Sequence, residues 1–144
     1  MNFDTNNEVV QLCAKGMQKE GNLEYDEAGI LFLQAWEKAT SDFEKFVAAH
    51  YLARHQDSTE NKLKWDEKSL SFALKIKDKG MLSNYSSLYL NIAKCYEDLK
   101  NFEKAAQNYQ TALAYADNLP DDGYGQMIRT GITNGISRLS DTTK

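Results

Sequence analysis

Turn-forming and β-branched residues are scarce in this 144-residue sequence. It contains one proline, eight glycines and three valines, whereas alanine and leucine together supply 29 residues. A sandwich or barrel of many strands needs a turn about every ten residues and favours β-branched side chains, so these counts argue against that class. We therefore expect an all-helical protein.

Basic residues and cysteines are also few. Seventeen Lys and Arg oppose 21 Asp and Glu, which gives a net charge of −4, the opposite of a nucleic-acid-binding surface. There is no apolar run long enough to span a membrane and no signal-peptide pattern at the start. Cys13 and Cys95 lack the spacing of a metal or redox motif. We expect a cytoplasmic protein with no cofactor, metal, nucleic-acid or membrane partner.

Apolar residues recur every three to four positions in seven segments, as in amphipathic helices. Six of these segments form three pairs, at about 7–40, 41–79 and 81–118, and the seventh covers about 123–139. Ser41 and Glu44 have the spacing of a capping box, which predicts the start of the third helix. Pro120 separates the last pair from the final helix. We expect one domain spanning 1–144.

The stretch from Tyr89 to Ala112 contains the clearest repeated unit. It places small residues where two helices would cross and large aromatic residues on either side. These positions match the tetratricopeptide repeat (TPR), so the stretch resembles that family. The matching residues are Tyr89, Ile92, Ala93, Tyr96, Ala105, Tyr109 and Ala112.

Two earlier units match the TPR pattern less closely. In the first, Lys19 replaces the usual tyrosine, and in the second, Asp66 replaces a small alanine. With its trailing helix, the chain is similar to the small stand-alone TPR proteins of bacteria. The resemblance implies a right-handed array of three antiparallel helix pairs followed by a C-terminal capping helix.

The resemblance also implies a concave groove, lined by the first helix of each pair, that binds a protein or peptide. The groove candidates are Met17, Tyr51, Arg54, His55, Asn91, Lys94, Glu97 and Arg129. The alternative for each residue is ordinary solvated surface. The Lys and Asn residues with which some TPR domains hold a C-terminal carboxylate are not all present, so that ligand is not expected.

We expect a non-catalytic binding module. The alternative function is self-association as a homodimer, through the trailing helix or through Trp36 and Trp65.

His50 and His55 lie about 140° apart around a helix and cannot share a metal, and we expect His50 to be packed and hydrogen-bonded. We expect both cysteines to be buried. Gly131 and Gly135 should pack on the preceding helix, with a dimer seam as the alternative.

Overall fold

A computed structural model describes residues 6–142 of the chain. This range contains α-helices but no strand, so the all-helical expectation is confirmed. The helices are α1 (Glu8–Gly21), α2 (Tyr25–Lys38), α3 (Asp42–Ala53), α4 (Thr59–Ala73), α5 (Leu82–Asp98), α6 (Phe102–Ala114) and α7 (Gly123–Thr142). Single turns of 3-10 helix occur at Lys79–Met81 and Ala116–Asn118.

The chain divides into two compact units, residues 1–77 and residues 78–144. In the first unit α1 packs on α2, α2 on α3 and α3 on α4, and α1 also contacts α3. In the second unit α5 packs on α6, and α7 contacts both. This packing of consecutive helices is consistent with a helical repeat. Within the described range, no helix has the length and apolar character needed to cross a membrane.

Side chains at the helix starts satisfy backbone groups that have no partner inside the helix. The Ser41 side chain accepts a hydrogen bond from the Glu44 N–H, and the Glu44 carboxylate accepts one from the Ser41 N–H, so the predicted capping box is confirmed. Asn7 caps α1 and also donates to Glu44 at 2.7 Å. Hydrogen bonds from the Thr40 N–H and from Asn7 lower the pKa of Glu44 to about 2. These bonds fix the starts of α1 and α3 together.

Glycines let aromatic rings approach the helix backbone closely in both units. A methyl group added to Gly16 of α1 would overlap the ring of Phe32 on α2, and one added to Gly135 of α7 would overlap the ring of Tyr109 on α6. A methyl group on Gly131 would lie 3.1 Å from Leu90 Cδ2 on α5. Gly135 therefore packs on the preceding helix as expected, whereas Gly131 faces α5.

We predict that Gly16→Ala and Gly135→Ala each destabilise the protein, although alanine is the better helix former. The neighbouring rings are fixed, because Phe32 stacks on Tyr51 and the Tyr109 hydroxyl binds Glu97. The overlap should cost about 1–3 kcal/mol of unfolding free energy, as in other overpacked cores. Urea denaturation followed by circular dichroism measures this change.

Gly21→Ala is the matched control, since nothing lies within 4 Å of a methyl group at that position. Its unfolding midpoint should remain at the wild-type value or rise. Equal midpoints for all three variants would contradict the close packing of the two rings.

Candidate functional site

In the first unit, Glu20 of α1 joins two of the predicted groove residues, Arg54 and His55, which directly follow the last residue of α3. The Arg54 guanidinium donates to one carboxylate oxygen of Glu20 at 2.7 Å, and His55 Nε2 lies 2.8 Å from the other. The ring of Tyr51 stacks on Phe32 with centroids 5.1 Å apart, and the Arg54 guanidinium lies 4.7 Å from the Tyr51 centroid. Tyr51, Arg54 and His55 therefore form one interlocked group with Glu20, which we call the α3 cluster.

The members of the α3 cluster differ in their exposure. The Arg54 side chain is 44% exposed, whereas that of Glu20 is 19% exposed and that of His55 is largely buried. Met17, the predicted groove residue on α1, is 47% exposed. The cluster thus presents Arg54 to solvent and holds His55 inside.

In the second unit, Glu97 of α5 is bound by residues from two other helices. Arg138 of α7 donates to both carboxylate oxygens, at 2.8 and 3.0 Å, and the Tyr109 hydroxyl donates at 2.6 Å. The hydrogen bonds from Arg138 lower the pKa of Glu97, and burial together with the bond to Glu97 raises the pKa of Tyr109. Glu97 therefore joins helices to one another. The sequence did not point to Arg138, which lies 41 positions away.

The other three predicted residues of the second unit differ in their contacts. Arg129 donates to the carbonyl oxygens of Ala116, Leu119 and Pro120, so it holds the segment that precedes α7. Asn91 is half-buried on α5. Lys94 forms an ion pair with an aspartate one turn along α5 and is the exposed member of the three.

The structure also has a surface cleft of about 640 Å³ in the first unit that the sequence reasoning missed. Trp36 of α2 lines one side, and one face of α4 lines the other from Glu60 to Phe72. Leu63 and Lys68 lie on that face. The sequence did contain one sign of this cleft. Its lining residues on α4 recur every three or four positions, which places them on one face of the helix.

Two aromatic residues of the cleft lining, Trp36 and Phe72, belong to an aromatic group that also contains Trp65. Trp36 meets Trp65 edge to face with centroids 5.0 Å apart, and its centroid lies 6.0 Å from that of Phe72. Lys68 Nζ lies 4.5 Å from the Trp65 centroid and 5.7 Å from the Trp36 centroid. The two tryptophans thus contact each other within one chain and carry a cation on their faces.

His50 differs from the expectation in one respect. Its ring is packed edge to face on Tyr51, but its Nδ1 is buried with no hydrogen-bond partner among residues 6–142, so the predicted hydrogen bond is wrong. Burial, and to a lesser extent the charges of Arg54 and Lys62, lower the pKa of His50 to about 4. The neighbouring side chains bury the ring of His50, but within the described residues none of them offers a hydrogen-bonding group to its Nδ1.

Both cysteines are buried, as expected. Burial raises the pKa of Cys13 to about 11, which leaves little reactive thiolate at neutral pH. Within residues 6–142, there is no group of three or more His, Cys, Asp or Glu side chains that could hold a metal ion.

Comparisons of the chain with protein-family models, with curated proteins and with solved structures found no match. The interpretation of function therefore depends on the residues described above.

We predict that His50 makes stability fall on mild acidification. The folded protein keeps His50 neutral down to about pH 4, whereas the unfolded chain takes up this proton near pH 6.5, so protons favour unfolding between these values. The unfolding free energy should drop by about 2 kcal/mol between pH 7.5 and pH 5 from this residue.

His50→Leu removes both the titration and the unpartnered nitrogen. Its unfolding free energy, measured by urea denaturation, should equal or exceed that of wild type at pH 7.5 and change less on acidification. The same pH dependence in both proteins would show that His50 is not responsible.

Proposed function

We propose that this protein is a non-catalytic, TPR-like module that binds a segment of a protein or peptide through the exposed face of α1 and α3. The packing of consecutive helices supports this proposal, as does the close approach of the Phe32 ring to the small residue Gly16. Met17, Tyr51 and Arg54 are the residues with which we expect the partner to make contact.

The α3 cluster is the observation that carries the proposal. Tyr and Arg are the side chains that most often dominate binding energy at protein interfaces. Here Glu20 and Phe32 hold Arg54 and Tyr51 in fixed positions, so binding would cost less side-chain entropy than it does for mobile surface residues. Met17 adds an exposed, adaptable apolar side chain on α1.

The titratable side chains of the candidate site are bound to other residues or buried, which favours a binding function over a catalytic one. A catalytic site needs several reactive groups that converge on space for a substrate. His55 is held by Glu20, Glu97 is held by Arg138, and the Nδ1 of His50 is buried. His55 and Glu97 thus link neighbouring parts of the fold, and His50 is enclosed in it, so we infer recognition instead of catalysis.

Self-association is the second candidate function. The observation in its favour is the exposure of Tyr124 and Met127 at the start of α7, 45% and 61% respectively. Two large apolar side chains one turn apart are suited to the seam of a symmetric dimer.

Partner capture tests the binding proposal. Immobilised wild-type protein should retain at least one protein from a lysate of the native host, and retention should fall about tenfold in both Tyr51→Leu and Arg54→Gln, since each removes a dominant contact. Lys100→Gln, which removes an exposed charge at the turn after α5, is the matched control. Quantitative mass spectrometry of the retained proteins provides the measurement. The proposal fails if no retained protein depends on both Tyr51 and Arg54.

Light scattering on a size-exclusion column tests self-association. The binding proposal predicts a monomer mass of 16.4 kDa that does not change with concentration. A dimer that persists on dilution and dissociates in Met127→Asp would instead favour the second candidate.

A further inference from the structure

We propose that the cleft along α4 is a separate binding site for an acidic protein segment that carries apolar anchor residues. This site lies on α2 and α4 with Lys45 added from α3, and it shares no residue with the α3 cluster.

The dimensions and floor of the cleft suit a short peptide. Its lining on α4 runs from Glu60 to Phe72, about 18 Å along the helix axis at the rise of an α-helix. An extended peptide of about five or six residues covers that length. Trp36, Leu63 and Phe72 offer apolar contact surface along it, so an aliphatic or aromatic side chain of the peptide would be buried there.

Three lysines hold their charges over the aromatic rings of this region. Lys68 lies over the two tryptophans, and the Nζ atoms of Lys45 and Lys75 lie 5.3 and 4.9 Å from the centroid of Phe72. In the part of the chain that the structure describes, none of the three has a carboxylate within ion-pair distance. The rings orient these ammonium groups, but no acidic side chain of the described chain neutralises them.

The other lysines of residues 6–142 fall into two groups. Four form an ion pair with a carboxylate of the chain, namely Lys19, Lys38, Lys62 and Lys94. Five others away from the cleft also have no carboxylate within ion-pair distance, namely Lys15, Lys77, Lys79, Lys100 and Lys104, but they are not gathered at one cleft. The lysines beside the cleft therefore have ring contacts in place of ion pairs. A carboxylate of a bound segment would complete the charge pairing while the rings keep their cation contacts.

The charges around the cleft favour a peptide over a nucleic acid. The lining itself holds two lysines, Lys64 and Lys68, and two glutamates, Glu60 and Glu67. Lys45 and Lys75, which contact the lining residue Phe72, add two further positive charges beside it. This local excess attracts acidic side chains although the whole chain has a charge of −4. A nucleic acid presents a denser row of phosphates, which the two glutamates and the negative protein would repel.

Tryptophan fluorescence gives a direct measurement of this site. The chain has only two tryptophans: Trp36 lines the cleft, and Trp65 contacts Trp36 edge to face. The probe is a tryptophan-free synthetic peptide of six glutamates with one leucine and one phenylalanine at its centre. We expect a saturable fluorescence change at low salt, and binding about tenfold weaker for the same peptide with glutamine in place of glutamate, since several ion pairs are lost.

Charge-removing variants locate the binding. Lys68→Gln should weaken binding of the acidic peptide about two- to fivefold, and adding Lys45→Gln should weaken it further, as expected for exposed ion pairs. Lys15→Gln on α1 removes an exposed charge away from the cleft and should have no effect. Tyr51→Leu should also have no effect, which separates this proposal from the function proposed for the α1–α3 face.

Four results would overturn the proposal. The first is the absence of a fluorescence change up to about 1 mM peptide, the weak limit of specific binding. The second is equal binding of the glutamate and glutamine peptides, and the third is a Lys68-dependent preference for a single-stranded oligonucleotide. The fourth is a fluorescence change on concentrating the protein alone, which would identify a second copy of the chain as the occupant.

Discussion

The close approach of an aromatic ring to a glycine determines the geometry of both units. In the first unit, Gly16 admits the ring of Phe32 against α1, and that ring stacks on Tyr51 of α3. In the second, Gly135 of α7 admits the ring of Tyr109. A side chain at either glycine would push the helices apart, because protein interiors have little free volume. The position of the α3 cluster therefore depends on a residue that has no side chain.

A carboxylate reinforces this arrangement in each unit. Glu20 and Glu97 each lie on a helix that begins its unit, and in both cases a buried aromatic residue follows twelve positions later. Each glutamate is hydrogen-bonded by an arginine later in the chain, either Arg54 directly after α3 or Arg138 on α7. Loss of one partner would leave the other charge partly buried without compensation, which is costly. The two units thus use the same combination of ring and ion pair, as expected of an internal repeat.

Features that depend on one helix were predictable from the sequence, whereas features that depend on packing were not. The capping box at Ser41 and Glu44 was readable from four residues, and the small size of Gly135 indicated a crossing. The pairing of Glu97 with Arg138 joins residues 41 positions apart, and no local pattern specifies it. The cleft likewise needs Trp36 of one helix beside the face of another. For that reason the sequence indicated a groove but not the α4 cleft.

The two surfaces of the first unit differ in how the chain satisfies its own charges. On the α1–α3 face, Glu20 already neutralises Arg54, so a partner would gain mainly from packing and from hydrogen bonds of fixed direction. Along α4, Lys68 contacts aromatic rings, but no carboxylate of the described chain lies within ion-pair distance of it. A carboxylate of a partner would therefore gain from pairing with Lys68. Salt screens exposed charges much more than it affects apolar contact. Binding in the cleft should therefore weaken as ionic strength rises, whereas binding to the α1–α3 face should change little. The reason is that Arg54 is already paired with Glu20, while Lys68 has no ion pair within the described chain.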